Sequence, residues 1–392
     1  QSVRPEFKSR MQIGQEQFPV ALGRGTKQNI SFLADHSAEY DAKADRFKLD
    51  SFNIKFLGDT LLSLTGEGEK VLSNERTIRL QTGNSRVNLG RVHDVVAQLT
   101  GKRDAIYSGF FSLKPTRVVV RNKDIEDEGG LRLERVSFRQ GKINVSLPTL
   151  ELDHAAHIST GMKPIPVRSG KAKLRAVLNG APVSLDAELE ASRKTNVNFS
   201  VRSLNPGSFT AGSLQGLIST TFTATGNSPQ DLAVALRVFS PQLQYFIDRG
   251  KSGVNRIEFN VKGSVKSNAD FTQNAVHLPL ITFNQKDKEY QQALEIKSHL
   301  KLDRAEHMHI VYGLDALKLH FKELLSTLPT AEQEKLGVQV KFLDPGRTLR
   351  ADGETAVTIA DGDTAVIHLT RIALPDAHVD DIELNAKVRL SP

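Results

Sequence analysis

The chain has 392 residues, of which 39% are hydrophobic and 6% aromatic, with neither Trp nor Cys. The absence of Cys excludes disulfides, thiolate metal sites and a Cys nucleophile, and the low aromatic content favours a thin layer with one dry face over a thick core. Lys and Arg number 52 against 45 Asp and Glu, so the formal net charge of +7 favours anionic partners.

Apolar residues alternate with polar ones along nearly the whole chain, which predicts antiparallel strands with one dry and one wet face. The first clear run is Phe52, Ile54 and Phe56. Later runs include Leu185, Phe199, Val201, Leu236, Phe259, Val261 and Leu384. The predicted fold is mainly β: an elongated, antiparallel, strongly twisted sheet curled into a groove, with a few short amphipathic helices.

Two segments show helical spacing instead. The shorter runs from Val92 to Leu99, and the clearer one is predicted over Leu314 to Leu336, where leucines recur every three or four residues until Pro329 interrupts. We expect the second helix to cap one end or edge of the sheet. A mobile lid and a membrane-surface contact are the alternatives, although its mixed polar face does not favour the membrane.

The positions Leu89, Leu204 and Leu314 precede similar patterns at intervals of about 110 residues, which suggests a long internal repeat. The sequence is accordingly divided into an N-terminal β section over 1–85, β-groove repeats over 86–200 and 201–310, and a helix-led C-terminal β section over 311–392.

The segment from Asn198 to Phe239 combines a strand, a Leu-Asn-Pro turn, the run T-x-T-A-T-G and another alternating strand. This layout resembles the AsmA-like family, including its TamB-type members, and similar patterns occur from Leu133 to Leu152 and from Leu314 to Phe342. The resemblance implies a periplasmic β-groove with an apolar interior, an N-terminal membrane anchor, and a role in phospholipid transport or outer-membrane assembly. The sequence departs from that pattern because no anchor is recognisable at its start. The resemblance therefore predicts that membrane contact is made through segments outside this chain.

Candidate chemistry is sparse. No G-x-S-x-G, phosphate-binding loop or dinucleotide fingerprint occurs. His307 and His309 share one face of a predicted strand, and His154 and His157 lie beside Asp153, but neither set is completed as a metal site. Adjacent carboxylates such as Asp380 and Asp381 are typical of solvated loops. The sequence predicts no catalytic residue, metal or cofactor, and hence no enzyme.

Basic residues are scattered and the Phe residues lie on the predicted dry face, so the pattern does not favour nucleic-acid binding. We expect the dry face to hold a phospholipid or another acyl-chain lipid, since a large bare apolar patch marks a binding surface. The predicted lipid-binding residues are Phe52, Ile54, Phe56, Leu185, Phe199, Val201, Leu236, Phe259, Val261 and Leu384. The predicted location is the bacterial periplasm or cell envelope. A structural or adhesive β-sandwich array that binds a protein partner through its loops is the alternative.

Overall fold

The computed structural model describes residues 6–22, 26–101, 105–162, 167–247, 250–251, 253–270, 272–304, 308–328, 348–360, 364–374, 377–379 and 384–389. The chain divides into two compact units, Gln1–Ala191 (unit 1) and Ser192–Pro392 (unit 2). Each unit is built from long antiparallel strands that pair mainly with their neighbours in sequence. The division into four sections remains a prediction.

Unit 1 is a meander in which β1 pairs with β2, β2 with β3, and so on to β11, apart from a single interruption. The interruption is a helix between β6 and β7, and both β5 and β6 pair with β7. Its strands are β1 (Glu6–Leu22), β2 (Thr26–Asp41), β3 (Arg46–Phe56), β4 (Asp59–Glu69), β5 (Thr77–Thr82), β6 (Val87–Asn88), β7 (Ala105–Arg121), β8 (Asp124–Gln140), β9 (Ile143–Ser159), β10 (Val167–Leu178) and β11 (Ala181–Leu189).

Unit 2 follows the same plan, with β14 pairing with β16 past the short strand β15 and β21 pairing with β23 past β22. Its strands are β12 (Thr195–Leu204), β13 (Leu214–Ser228), β14 (Asp231–Ile247), β15 (Gly250–Lys251), β16 (Asn255–Ser267), β17 (Asn274–Lys286), β18 (Gln292–Arg304), β19 (Met308–His320), β20 (Thr348–Ala360), β21 (Thr364–Leu374), β22 (Ala377–Val379) and β23 (Leu384–Arg389). The prediction of a mainly β, antiparallel protein with a few short helices is confirmed.

Helical segments interrupt the meander close to Leu89, Leu204 and Leu314, the positions of the predicted repeat. Helix α1 (Leu89–Thr100) starts at the N-cap Asn88, whose side chain accepts a hydrogen bond from the Arg91 amide, and stops at Gly101 in the left-handed conformation. A 3₁₀ turn (Pro206–Ser208) follows β12, and helix α2 (Phe321–Thr327) follows β19. Six successive antiparallel pairings separate β12 from β19. The 3₁₀ turn and α2 therefore leave the same end of the unit 2 strands.

The prediction of a helix beginning at Leu314 was wrong. Leu314 and Leu317 lie in β19, and the helix begins only at Phe321. A register shift in β19 places both leucines opposite residues of one sheet face, Ser298 and Ile296. The bulge adds one residue to the normal two-residue period and so produces the spacing of three that a helix would show. The predicted stretch after Leu328 lies outside the described residues.

Large apolar side chains are not enclosed in this architecture. Among side chains in the described part of the chain, the hydrophobic ones that are buried are Val87, Val95, Ala97, Val119, Ala176, Ala181, Ala224 and Ala293. Where burial is described, the Leu, Ile and Phe side chains of the strands remain partly accessible, because a single sheet layer buries them only against neighbours on the same face.

Candidate lipid-binding face

Strand register places five leucines of unit 1 side by side across five strands. Leu113 faces Leu131, Leu131 faces Leu152, Leu152 faces Leu174, and Leu174 faces Leu185. Residues that face each other across an antiparallel pair point to the same side of the sheet. These five residues, the leucine row, are all half-buried, and at about 4.8 Å per strand the row is about 19 Å long.

The predicted residues of unit 1 lie on this same face. Leu185 ends the leucine row, while Phe52 faces Leu64 and Ile54 faces Leu62 across β3 and β4. Phe56 faces Phe32, which is 44% exposed. The predicted residues on β3 are themselves half-buried, as is Leu185. They form two groups on one face, because β4 to β10 lie between β3 and β11.

In unit 2, the register brings most of the predicted residues into two neighbouring rows. Phe199, Leu236 and Val261 share one row, which reads Phe199, Phe222, Leu236, Val261 and Ile281 across β12 to β17. Val201 and Phe259 share the next row, which reads Val201, Thr220, Val238, Phe259, Phe283, Ile296 and Leu317. Leu384 lies apart, facing Leu369 in the register of β21 and β23.

One end of the apolar face of unit 2 is covered by α2 through a buried polar cluster. The Gln285 side-chain amide donates to Asn255 Oδ1 at 2.6 Å and to Thr327 Oγ1 at 3.2 Å. Asn255 and Thr327 are each 1% exposed. A side chain on Gly253 would meet the Ser326 carbonyl at 2.3 Å, so glycine permits this close approach. The last turn of α2 is thereby fixed to the strand ends, as the predicted cap requires.

Helix α1 covers part of the apolar face of unit 1. The His93 ring lies 5.1 Å from the Tyr107 ring, which in turn lies 5.0 Å from Phe138. Val95 and Ala97 are buried on the inner side of the helix. Neither helix in the described part of the chain has the length and apolar composition needed to cross a bilayer.

A hydrogen-bonded pair of ionisable residues lies within the apolar face of unit 1. His154 Nε2 is 2.8 Å from Asp127 Oδ2, and the two side chains are 36% and 28% exposed. His154 is two residues from Leu152 and faces Gly129, while Asp127 faces Val118 and Ala156. Sequence reasoning grouped His154 with Asp153, but Asp153 points to the other face and binds Lys114 at 2.6 Å. The signal for the true pair is a charged residue at an apolar phase of the alternation.

On the opposite face of unit 1, side chains of opposite charge face each other across neighbouring strands. Lys8, Glu39, Lys48, Glu67 and Arg79 form one row, the charge row, with alternating sign. Lys8 Nζ lies 2.6 Å from Glu39, and Arg79 lies 3.1 Å from Glu67. Such exposed pairs add little stability individually, but like charges in the same places would be unfavourable.

A cavity of about 470 Å³ lies against this polar face further along unit 1. Three of its charged lining residues form ion pairs within the sheet: Lys171 binds Glu188 at 2.7 Å, and Glu126 binds Arg121 at 2.8 Å. Among the described residues, no three His, Asp or Glu side chains are grouped to hold a metal. His307 and the pair Asp380 and Asp381 lie outside the described residues.

No protein-family model matches the sequence, and a search of curated proteins finds no match. The AsmA-like resemblance therefore remains a prediction.

Proposed function

We propose that this protein is a non-enzymatic lipid-binding protein, in which acyl chains lie along the apolar face of the sheet. The observation that carries the proposal is the leucine row, five neighbouring leucines that remain half-buried in the described part of unit 1. The two apolar rows of unit 2 add a second such surface. Contiguous apolar surface of this kind is found where a ligand or partner binds.

The dimensions and energetics favour an acyl chain as the occupant. The leucine row spans about 19 Å, whereas one leaflet of a bilayer hydrocarbon core is about 15 Å thick. Each CH₂ group removed from water contributes about 0.8 kcal/mol. A chain lying across the row would complete the burial of side chains that the fold leaves half covered.

Within this proposal the protein holds or conducts phospholipid between inner and outer membranes, in the bacterial periplasm or cell envelope. The support for that location is the absence of Cys and the AsmA-like resemblance of the segment from Asn198 to Phe239.

Lipid extraction and site-specific crosslinking test the proposal. The purified protein should release phospholipid detectable by mass spectrometry, and a photo-reactive residue at Val201 should crosslink to acyl chains. The matched control is Thr221, which faces Ser200 and Arg237 on the polar side of the same sheet and is exposed. Lipid-free protein, or equal crosslinking at the two positions, would contradict the proposal.

A charge on the apolar face supplies a second test. Phe259→Asp should lower the amount of co-purified lipid at least severalfold, because a buried carboxylate opposes acyl-chain contact. Thr221→Asp should leave it unchanged. A folded Phe259→Asp protein with undiminished lipid would count against binding on this face.

A further inference from the structure

We propose that the Asp127 and His154 pair recognises the primary ammonium of a lipid headgroup, so that unit 1 prefers phosphoethanolamine lipids over anionic ones. This inference rests on the proposed lipid-binding function and names the lipid class that the site takes. The first observation is the position of the pair. Among the positions of β7 to β11 that the register assigns to the apolar face, Asp127 and His154 are the ionisable residues, so they are the polar anchor of a mainly apolar surface.

The second observation is the space beside the pair. His154 faces Ala172 on β10, and Ala172 faces Ala187 on β11. Asp127 faces Ala156, which in turn faces Gly170. These neighbours of the pair in both rows are Ala or Gly, which leave more room for a headgroup than Leu or Phe would. The leucine row is the next row on this face: Leu152 is two residues from His154 and about 7 Å away along β9.

The third observation is the chemistry of the pair, which offers a carboxylate in either state of the imidazole. Because Nε2 of His154 is bonded to Asp127, Nδ1 is the ring nitrogen that can serve a ligand. In the neutral imidazole Nδ1 accepts a hydrogen bond from an ammonium, and in the imidazolium it donates one to a phosphate oxygen. The first state gives the pair a net negative charge that attracts a cation. The second makes it a dipole that a zwitterionic headgroup complements.

An anionic headgroup without an amine fits less well, because it would approach the Asp127 carboxylate without a donor to offer it. A trimethylated choline headgroup has the charge but no N–H donors. The expected order of preference is therefore phosphatidylethanolamine, then phosphatidylcholine, then phosphatidylglycerol, with acyl chains held constant.

The test loads the full chain from vesicles containing equal amounts of these three dioleoyl lipids and quantifies the extracted lipids by mass spectrometry. The wild-type protein should enrich phosphatidylethanolamine over phosphatidylglycerol, and Asp127→Asn should reduce that enrichment at least threefold, measured as the ratio of the two lipids in the extract. The side chain keeps its shape in this variant, and circular dichroism verifies the fold.

The matched control is a second pair of the same chemistry on the polar face of unit 2. His299 Nδ1 lies 2.7 Å from Asp315 Oδ1, and Asp315→Asn should leave headgroup selection unchanged. Bound lipid without headgroup preference, or a preference that survives Asp127→Asn, would overturn this inference while leaving lipid binding intact. A wild-type protein that takes up no lipid would overturn the proposed function itself.

Discussion

The His299 ring occupies the space that a side chain on Gly313 would need. The two residues face each other across β18 and β19, and a Cβ on Gly313 would lie 2.1 Å from His299 Cε1. The ring is held there by its bond to Asp315, the extra residue of the bulge in β19. One glycine thus allows the histidine to reach the bulge.

Gly313→Ala should therefore destabilise the protein by about 1–3 kcal/mol, because the ring must move and lose its bond to Asp315. In a His299→Ala background the same change should be neutral or slightly stabilising, since Ala at Gly313 then fits and reduces the entropy of the unfolded chain. Urea unfolding of the four proteins of this double-mutant cycle measures the coupling. Additive effects would mean that the ring does not depend on the glycine.

The burial of two side chains in unit 1 predicts that truncating the smaller one lowers the free energy of unfolding more. Val119 is 2% exposed although it lies on the polar face, between Arg79 and Glu126. Val119→Ala should cost about 1–2.5 kcal/mol, because it leaves a cavity under the charged side chains. Leu152→Ala removes more carbon atoms but should cost less than about 1.5 kcal/mol in lipid-free protein, because Leu152 is only half-buried. Denaturation midpoints of both variants decide the order, and a larger cost at Leu152 would indicate a covered apolar face.

The polar cluster beneath α2 should control how firmly the helix is attached. Asn255→Ala removes one of the two acceptors of the Gln285 amide and the hydrogen bonds that Asn255 donates to the Leu243 and Gly253 carbonyls. Buried polar groups left without partners cost about 1–3 kcal/mol. We expect faster hydrogen exchange at the amides of Phe321–Thr327, with the amides of β13 as internal reference. Unchanged protection of the helix would show that apolar contacts alone hold it.

Acid should weaken a small charge cluster in unit 2. Hydrogen bonds from Lys297 first and Lys318 second hold the pKa of Glu295 below its usual value, with nitrogens 2.9 and 3.1 Å away. The unfolded chain then binds a proton more readily than the folded one. The stabilisation is therefore complete above the unfolded-state pKa and is lost as the pH falls through the lowered folded-state pKa.

The comparison between wild type and Glu295→Gln measures this effect. The difference in unfolding free energy should be below about 1 kcal/mol at neutral pH, because Glu295 and its two lysines lie near the surface. It should shrink as the pH falls below the ordinary Glu pKa of about 4.3. A difference that grows in acid would assign the stabilisation to another group.

The sequence predicted the strands and the sheet faces because alternation depends only on neighbours in the chain. It placed Phe199, Leu236 and Val261 on one face without showing that they stand in one row. Register depends on hairpin turns and bulges, and a single bulge changes which residues face each other. For that reason the sequence does not show that Asp127 and His154, 27 residues apart, contact each other. The bulge after Leu314 likewise produces a spacing that is typical of a helix.

The charge row also bears on how such a chain can change length. Removing any two adjacent strands from Lys8, Glu39, Lys48, Glu67 and Arg79 brings a cation opposite an anion again. Removing one strand would bring like charges together and reverse the direction of every strand that follows it. A whole hairpin is therefore the increment by which this sheet can gain or lose material without disturbing its neighbours, so homologous chains should differ by even numbers of strands.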